Sequence, residues 1–179
     1  MNWFWIILML VVLQRLGELC LARRNTRRLL ARGAHEVAAG HYPAILALHV
    51  AWLLAMAVTI PGDTEPNWLL LGLFLLLQAG RLWTIVSLGP YWTTRIVTLP
   101  GAPLVRRGPY RFLAHPNYLI VACEIAVLPL AFGAWKLALA FSLLNAVVLV
   151  QRIGAEDAAL AERRRQAGRQ TANISSPPT

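Results

Sequence analysis

Residues 111–124 read RFLAHPNYLIVACE. The stretch opens on polar and aromatic side chains around His115-Pro116 and then runs into an apolar helix that carries a carboxylate, Glu124. Proline suits the first helical position, because its missing N–H would have no partner there anyway. His115 therefore marks a helix start, and the apolar residues 117–132 read as a membrane span. Working outward, further apolar runs lie at 2–22, 42–60, 67–88 and 135–153. Segments of this length can cross a bilayer core of ~30 Å as helices. The first span has no basic segment before it and no small-residue cleavage site after it, so it reads as a retained helix and not a signal peptide. The expectation is an all-α polytopic membrane protein of about five transmembrane helices. One membrane-embedded domain would fill 1–165, with a disordered Ser/Pro-ended tail at 166–179.

Composition agrees. Of the 179 residues, 58% are hydrophobic, above the ~45–50% of ordinary soluble domains. The net charge of +9 comes from sixteen arginines and a single lysine, Lys136. Such a charge could suggest nucleic acid, but here it reads as basic loops facing the cytoplasm and anionic lipid headgroups. The loop after span 1 holds Arg23, Arg24, Arg27, Arg28 and Arg32. The connection after span 3 holds Arg95, Arg106, Arg107 and Arg111, and the C-terminal end is also Arg-rich. The opposite side has Lys136, Asp63 and Glu65. The positive-inside rule then predicts an outside N-terminus and a cytoplasmic C-terminus. Trp3, Trp5, Trp68 and Trp135 fall together at the outer interface. Two isolated cysteines and four scattered histidines have no metal-ligand spacing.

The polar connection between spans 3 and 4 runs from Tyr91 to Pro116. It is too long and too rich in aromatics for a plain linker, and reads as a folded cap. Asn117 and Glu124, seven apart, share a helix face. Glu124 sits roughly 10 Å into the span, where a charged carboxylate is costly. It could lock helix packing through a hydrogen bond or line a substrate cavity; both readings stay open. In span 5, Asn145, Arg152 and Glu156 stack along one face. A tight turn joins spans 4 and 5, so the two clusters can face each other. Gln14, Arg15, Glu18, Gln78 and Arg81 fall in the same half of the membrane. The residues thus point to one polar cavity at the inner face. Neither a P-loop, a dinucleotide turn nor a metal motif names its chemistry.

Four motifs in order go further: Leu104-Val105, Gly108-Pro109-Tyr110, the run His115-Pro116-Asn117-Tyr118, and Arg152 through Asp157 (RIGAED). Their order and spacing resemble the integral-membrane isoprenylcysteine carboxyl methyltransferase family, with its L-V-x-x-G-x-Y, R-H-P-x-Y and R-x-x-x-E-E patterns. The match covers the C-terminal half, about 92–160. The N-terminal pieces QRLGELCLARRN, GAHEVAAGHYP and LGPYWTTRI resemble a bacterial branch that includes O-methyltransferases of lipid-like alkylpyrones.

The resemblance implies an S-adenosylmethionine-dependent methyltransferase in a bacterial cytoplasmic membrane, with its site facing the cytoplasm. It implies a lipophilic small-molecule acceptor, contact with membrane lipid, and neither a metal nor nucleic acid. Leu104, Val105, Tyr110, His115, Pro116, Tyr118 and Glu156 would hold the cofactor, with Glu156 on its ammonium group. Arg152, Asn117 and Asn145 would meet the acceptor. A carboxylate or an enolic hydroxyl needs little activation; where a base is needed, His115 or Glu124 is the candidate. Ala114 stands where the family has arginine, and Asp157 where a second glutamate is common. The competing expectations are carboxyl methylation of a prenylated cysteine, phospholipid N-methylation, and a non-catalytic membrane interaction protein.

Overall fold

The computed structural model describes residues 2–102 and 105–175, without the side chains of 41, 160 and 162–175. Five helices account for most of it: α1 (Trp3–Leu30), α2 (Tyr42–Thr59), α3 (Trp68–Leu88), α4 (Pro116–Ala131) and α5 (Trp135–Ser175). Two short strands, β1 (His35–Glu36) and β2 (Val97–Thr98), pair antiparallel and tie the α1–α2 loop to the α3–α4 connection. Helices α3 and α5 flank α4, and α2 leans on α5.

Four helical stretches are long and apolar enough to cross a membrane: α1, α2, the α3 region and the first 25 residues of α5. Helix α4, the remaining expected span, is a shorter apolar helix of 16 residues. At 1.5 Å per residue it is about 24 Å long, short of a ~30 Å hydrocarbon core. Its ends are set locally. Pro116 fixes the start, and the far end closes through Gly133 at φ +71. There the N–H groups of Ala134 and Gly133 return to the carbonyls of Pro129 and Leu130, a closure that favours glycine.

The surface is the reverse of a soluble protein's. Leu10, Leu13, Leu54, Leu69, Leu76, Val86 and Val150 all point outward. Together they form an apolar exterior far beyond the few hundred Å² tolerated in water, and natural in lipid. This is an integral membrane protein.

The interior has three levels. At the end where α1 begins, an apolar core gathers Phe4, Leu8, Trp52, Met56, Phe74, Ile125 and Leu128. Trp3 and Trp68 meet edge to face there, 5.4 Å between ring centroids. Next comes a layer of buried charge from α1, α3 and α4. At the Arg-rich end the helices part around a cavity. Helix α5 continues past it to Ser175, through the first ten residues of the expected tail, where Ala, Arg and Gln favour helix. The remainder of that tail, 176–179, lies outside the described residues.

Candidate active site

The α3–α4 connection closes over the Arg-rich end and is pinned at several points. Asn25 Nδ2 donates to the carbonyls of Trp92 (2.9 Å) and Gly89 (3.2 Å). Arg107 Nε donates to the Ser87 carbonyl at 2.7 Å. Arg152, itself 5% exposed, donates to the Thr94 carbonyl at 2.9 Å. Arg95 pairs with Glu36 at 2.7 Å and lies over the Tyr42 ring; the hydrogen bond to Glu36 raises its pKa. The expected cap is therefore ordered, and part of its anchorage is the β1–β2 ribbon.

Beneath it is a cavity of about 680 Å³, within the ~300–1,000 Å³ usual for ligand sites. At its mouth α4 and α5 bring the motif residues together. Tyr118 donates its hydroxyl proton to Glu156 at 2.6 Å. The His115 ring stacks on Tyr118, 5.5 Å between centroids. His115 Nε2 lies 3.1 Å from Asp157 and its Nδ1 3.7 Å from Glu156. Arg152 sits over the other neighbour of this cluster, the Tyr118 ring, at 5.9 Å. Its hydrogen bond goes to the cap carbonyl of Thr94 and not to Glu156, the i,i+4 partner that its spacing allows. Burial, reinforced by the negative charge of Glu156, pushes the Tyr110 hydroxyl's pKa up, so it stays a neutral phenol.

Val105, Tyr110, His115, Asn117, Tyr118, Arg152 and Glu156 all line this one cavity. Leu104 lies outside the described residues. Pro116 is buried at the helix start and shapes the wall without lining it. Asn117 Oδ1 is buried with no partner among the described residues, a vacant acceptor at the wall.

Two expected site residues are placed elsewhere. Asn145 is buried and off the cavity: it lies seven residues from Arg152, about 10 Å deeper along α5. Glu124 does not line the cavity either. It is 2% exposed and belongs to the charged layer below. One of its oxygens accepts from Arg15 and Arg81, both at 2.9 Å, and the other from Gln78 at 2.9 Å. Glu18 accepts from Arg81 at 2.7 and 2.8 Å, from Arg15 at 2.8 Å and from Gln14 at 3.0 Å. Two arginines and two glutamates thus cancel, and Gln14 bridges to Gln78 at 2.7 Å. Of the two open readings of Glu124, this geometry is the packing one. Arg15, Glu18 and Arg81 present their upper faces to the cavity as its floor.

Sequence reasoning passed over His49 on α2, which lines the lower cavity. The available signal was simply an ionisable side chain inside a span.

A carboxylate, an imidazole and two phenols thus gather at the mouth of a membrane-embedded cavity above a buried, charge-balanced floor. The chain belongs to the isoprenylcysteine carboxyl methyltransferase family, whose model matches residues 70–162. Members of that family are methyltransferases, generally dependent on S-adenosylmethionine. Over 163 residues the chain is 39% identical to a Bacillus subtilis (strain 168) protein described as "Uncharacterized protein YpbQ", covering 89% of this chain and 97% of that relative. No solved structure matches the chain.

Proposed function

We propose that this protein is an S-adenosylmethionine-dependent O-methyltransferase. Its acceptor would be a lipophilic small molecule carrying an acidic oxygen, an alkylpyrone-like hydroxyl or a carboxylate. The observation that carries this reading is a single cavity with two unlike ends. One end is the polar mouth of His115, Tyr118, Arg152 and Glu156. The other reaches α1 and α2, where Leu16, Val50 and Leu54 line the cavity and are also about half exposed on the apolar exterior. A water-soluble cofactor and a lipid-borne acceptor can therefore meet without either crossing the other's medium.

The residues fit the cofactor. Glu156 is a partly exposed carboxylate, oriented by Tyr118 and suited to an ammonium group; Asn117 Oδ1 is an unused acceptor. Leu104, Val105 and Tyr110 would cover it from the cap, and His115, Pro116 and Tyr118 would support it from α4. Bound there, it supplies an electrophilic methyl group. The chain's own contribution is to hold the acceptor oxygen in line and keep out water, and positioning of this kind can be worth roughly 7–11 kcal/mol. Arg152 would hold the acceptor's polar head. The asymmetry of arginine between the two ends supports a cytoplasm-facing mouth in a bacterial cytoplasmic membrane.

Calorimetric titration of the detergent-purified protein with S-adenosylhomocysteine tests the cofactor reading. Saturable binding is expected, and Glu156→Ala should abolish it; full affinity in Glu156→Ala would refute the assignment. Supplying labelled S-adenosylmethionine with either a 6-undecyl-4-hydroxy-2-pyrone or N-acetyl-farnesylcysteine then separates the acceptors. Label is expected in the pyrone. Transfer to the cysteine probe alone would move the assignment to prenylcysteine.

A further inference from the structure

An acid that reaches the cavity through hydrocarbon arrives in its neutral form, since its anion is costly to transfer from water. An acceptor hydroxyl entering from lipid therefore brings a proton that something in the cavity must take. Neither of the two bases that the sequence suggests lies on the lipid-facing flank. His115 meets Asp157 through Nε2 at 3.1 Å and stands at the polar mouth, on the cofactor's side. Glu124 spends both oxygens on Arg15, Arg81 and Gln78 and lies off the cavity. Glu18 is likewise filled by Arg81, Arg15 and Gln14. Glu156 and Asp157 stand at the polar mouth, on the cofactor's side.

His49 differs from all of these. Its Nδ1 is 2.8 Å from the Ile45 carbonyl, one turn earlier on α2. A carbonyl oxygen only accepts, so Nδ1 carries the proton and the neutral ring leaves Nε2 as a lone-pair acceptor. No group among the described residues bonds Nε2. The ring lines the cavity next to Leu46, Val50 and Leu53, on the flank that reaches lipid. Facing it from the neighbouring helices are Arg15 and Glu18 on α1 and Arg81 on α3. These charges belong to the balanced layer, so the floor beside the ring carries no net charge.

We propose that His49 is the general base of this enzyme, taking the proton of an acceptor that enters as a neutral acid. This rests on the methyltransferase reading above and deepens it: whichever acidic oxygen the acceptor carries, it enters from lipid protonated and its proton needs an acceptor in the cavity. The acceptor O–H bond breaks and its proton passes to Nε2 of His49. The freed oxygen pair forms the new O–C bond as the methyl group's bond to the sulfonium sulfur breaks, and S-adenosylhomocysteine leaves as a neutral thioether. The imidazolium then returns its proton to water through the mouth.

The test uses the full-length protein in micelles, with ¹⁵N-labelled histidine and saturating S-adenosylhomocysteine. Among the four histidine side chains, His49 is assigned by the signal set lost in His49→Gln. Adding 6-undecyl-4-hydroxy-2-pyrone should shift the His49 Nε2 resonance toward its protonated position. In turnover, His49→Ala should methylate the pyrone at least about 100-fold more slowly, the low end of general-base effects. Added imidazole should restore part of the rate, which a merely structural histidine would not permit. An unmoved Nε2 resonance, or near wild-type turnover by His49→Ala, overturns the proposal. Loss of S-adenosylhomocysteine binding in the wild-type protein would instead strike the methyltransferase reading, so the two failures are distinct.

Discussion

At the scale of single residues, the mouth depends on one short hydrogen bond, Tyr118 to Glu156 at 2.6 Å. It fixes the carboxylate that the proposed cofactor must find. Tyr118→Phe keeps the ring that stacks on His115 and removes only the hydroxyl. The expected cost is about 0.5–1.5 kcal/mol, a few-fold weaker S-adenosylhomocysteine binding by calorimetry, with unchanged thermal stability. A loss as complete as that of Glu156→Ala would mean that the Tyr118 hydroxyl bonds the cofactor directly and does not merely orient Glu156. These residues were legible in the sequence because short motifs at both ends of a helical hairpin must converge. Glu124 and Asn145 were less so. Helical spacing gave their faces, but whether a face meets a cavity or a neighbouring helix depends on depth and on partners from other spans. His49 belongs to no motif, and only its lone carbonyl partner and the cavity around it single it out.

At the scale of elements, the cap turns on Gly108. Its φ is +57, and a Cβ built there would collide with Ser87 Oγ on α3. The left-handed conformation alone costs an L-residue about 1–2 kcal/mol, and the collision adds to it. Gly108→Ala should therefore loosen the connection while leaving the spans folded. Limited trypsin digestion reads this directly: cleavage after Arg106, Arg107 or Arg111 should speed up severalfold, with helical circular dichroism preserved. Equal digestion rates would mean the cap can move without losing its anchors. The sequence indicated an ordered connection through its length and aromatics. It did not indicate the anchors, since a two-residue ribbon and side chains bonded to distant carbonyls leave no periodic trace. The proline and glycine that bound α4 hold it to 16 residues, a length that apolar composition alone did not give.

At the scale of the whole molecule, the charged layer between apolar core and cavity is what joins α1 to α3 and α4. Its stability depends on balance: Arg15 and Arg81 face Glu18 and Glu124, and each carboxylate is shared by both guanidiniums. Removing one carboxylate leaves a cation without full compensation where water is scarce. Breaking such a buried pair typically costs about 3–5 kcal/mol, so Glu124→Leu should lower stability by that order in a denaturant titration of the micellar protein. Removing one charge of each sign should cost far less, because a balanced pair exchanged for apolar side chains can be nearly neutral. The double variant Arg81→Leu, Glu124→Leu leaves Arg15 facing Glu18 and should recover most of the lost stability. The comparison also separates scaffold from chemistry. Because Glu124 lies off the cavity, the folded fraction of Glu124→Leu should bind S-adenosylhomocysteine with wild-type affinity, whereas a cofactor-holding carboxylate would fail that test while leaving the denaturation midpoint in place.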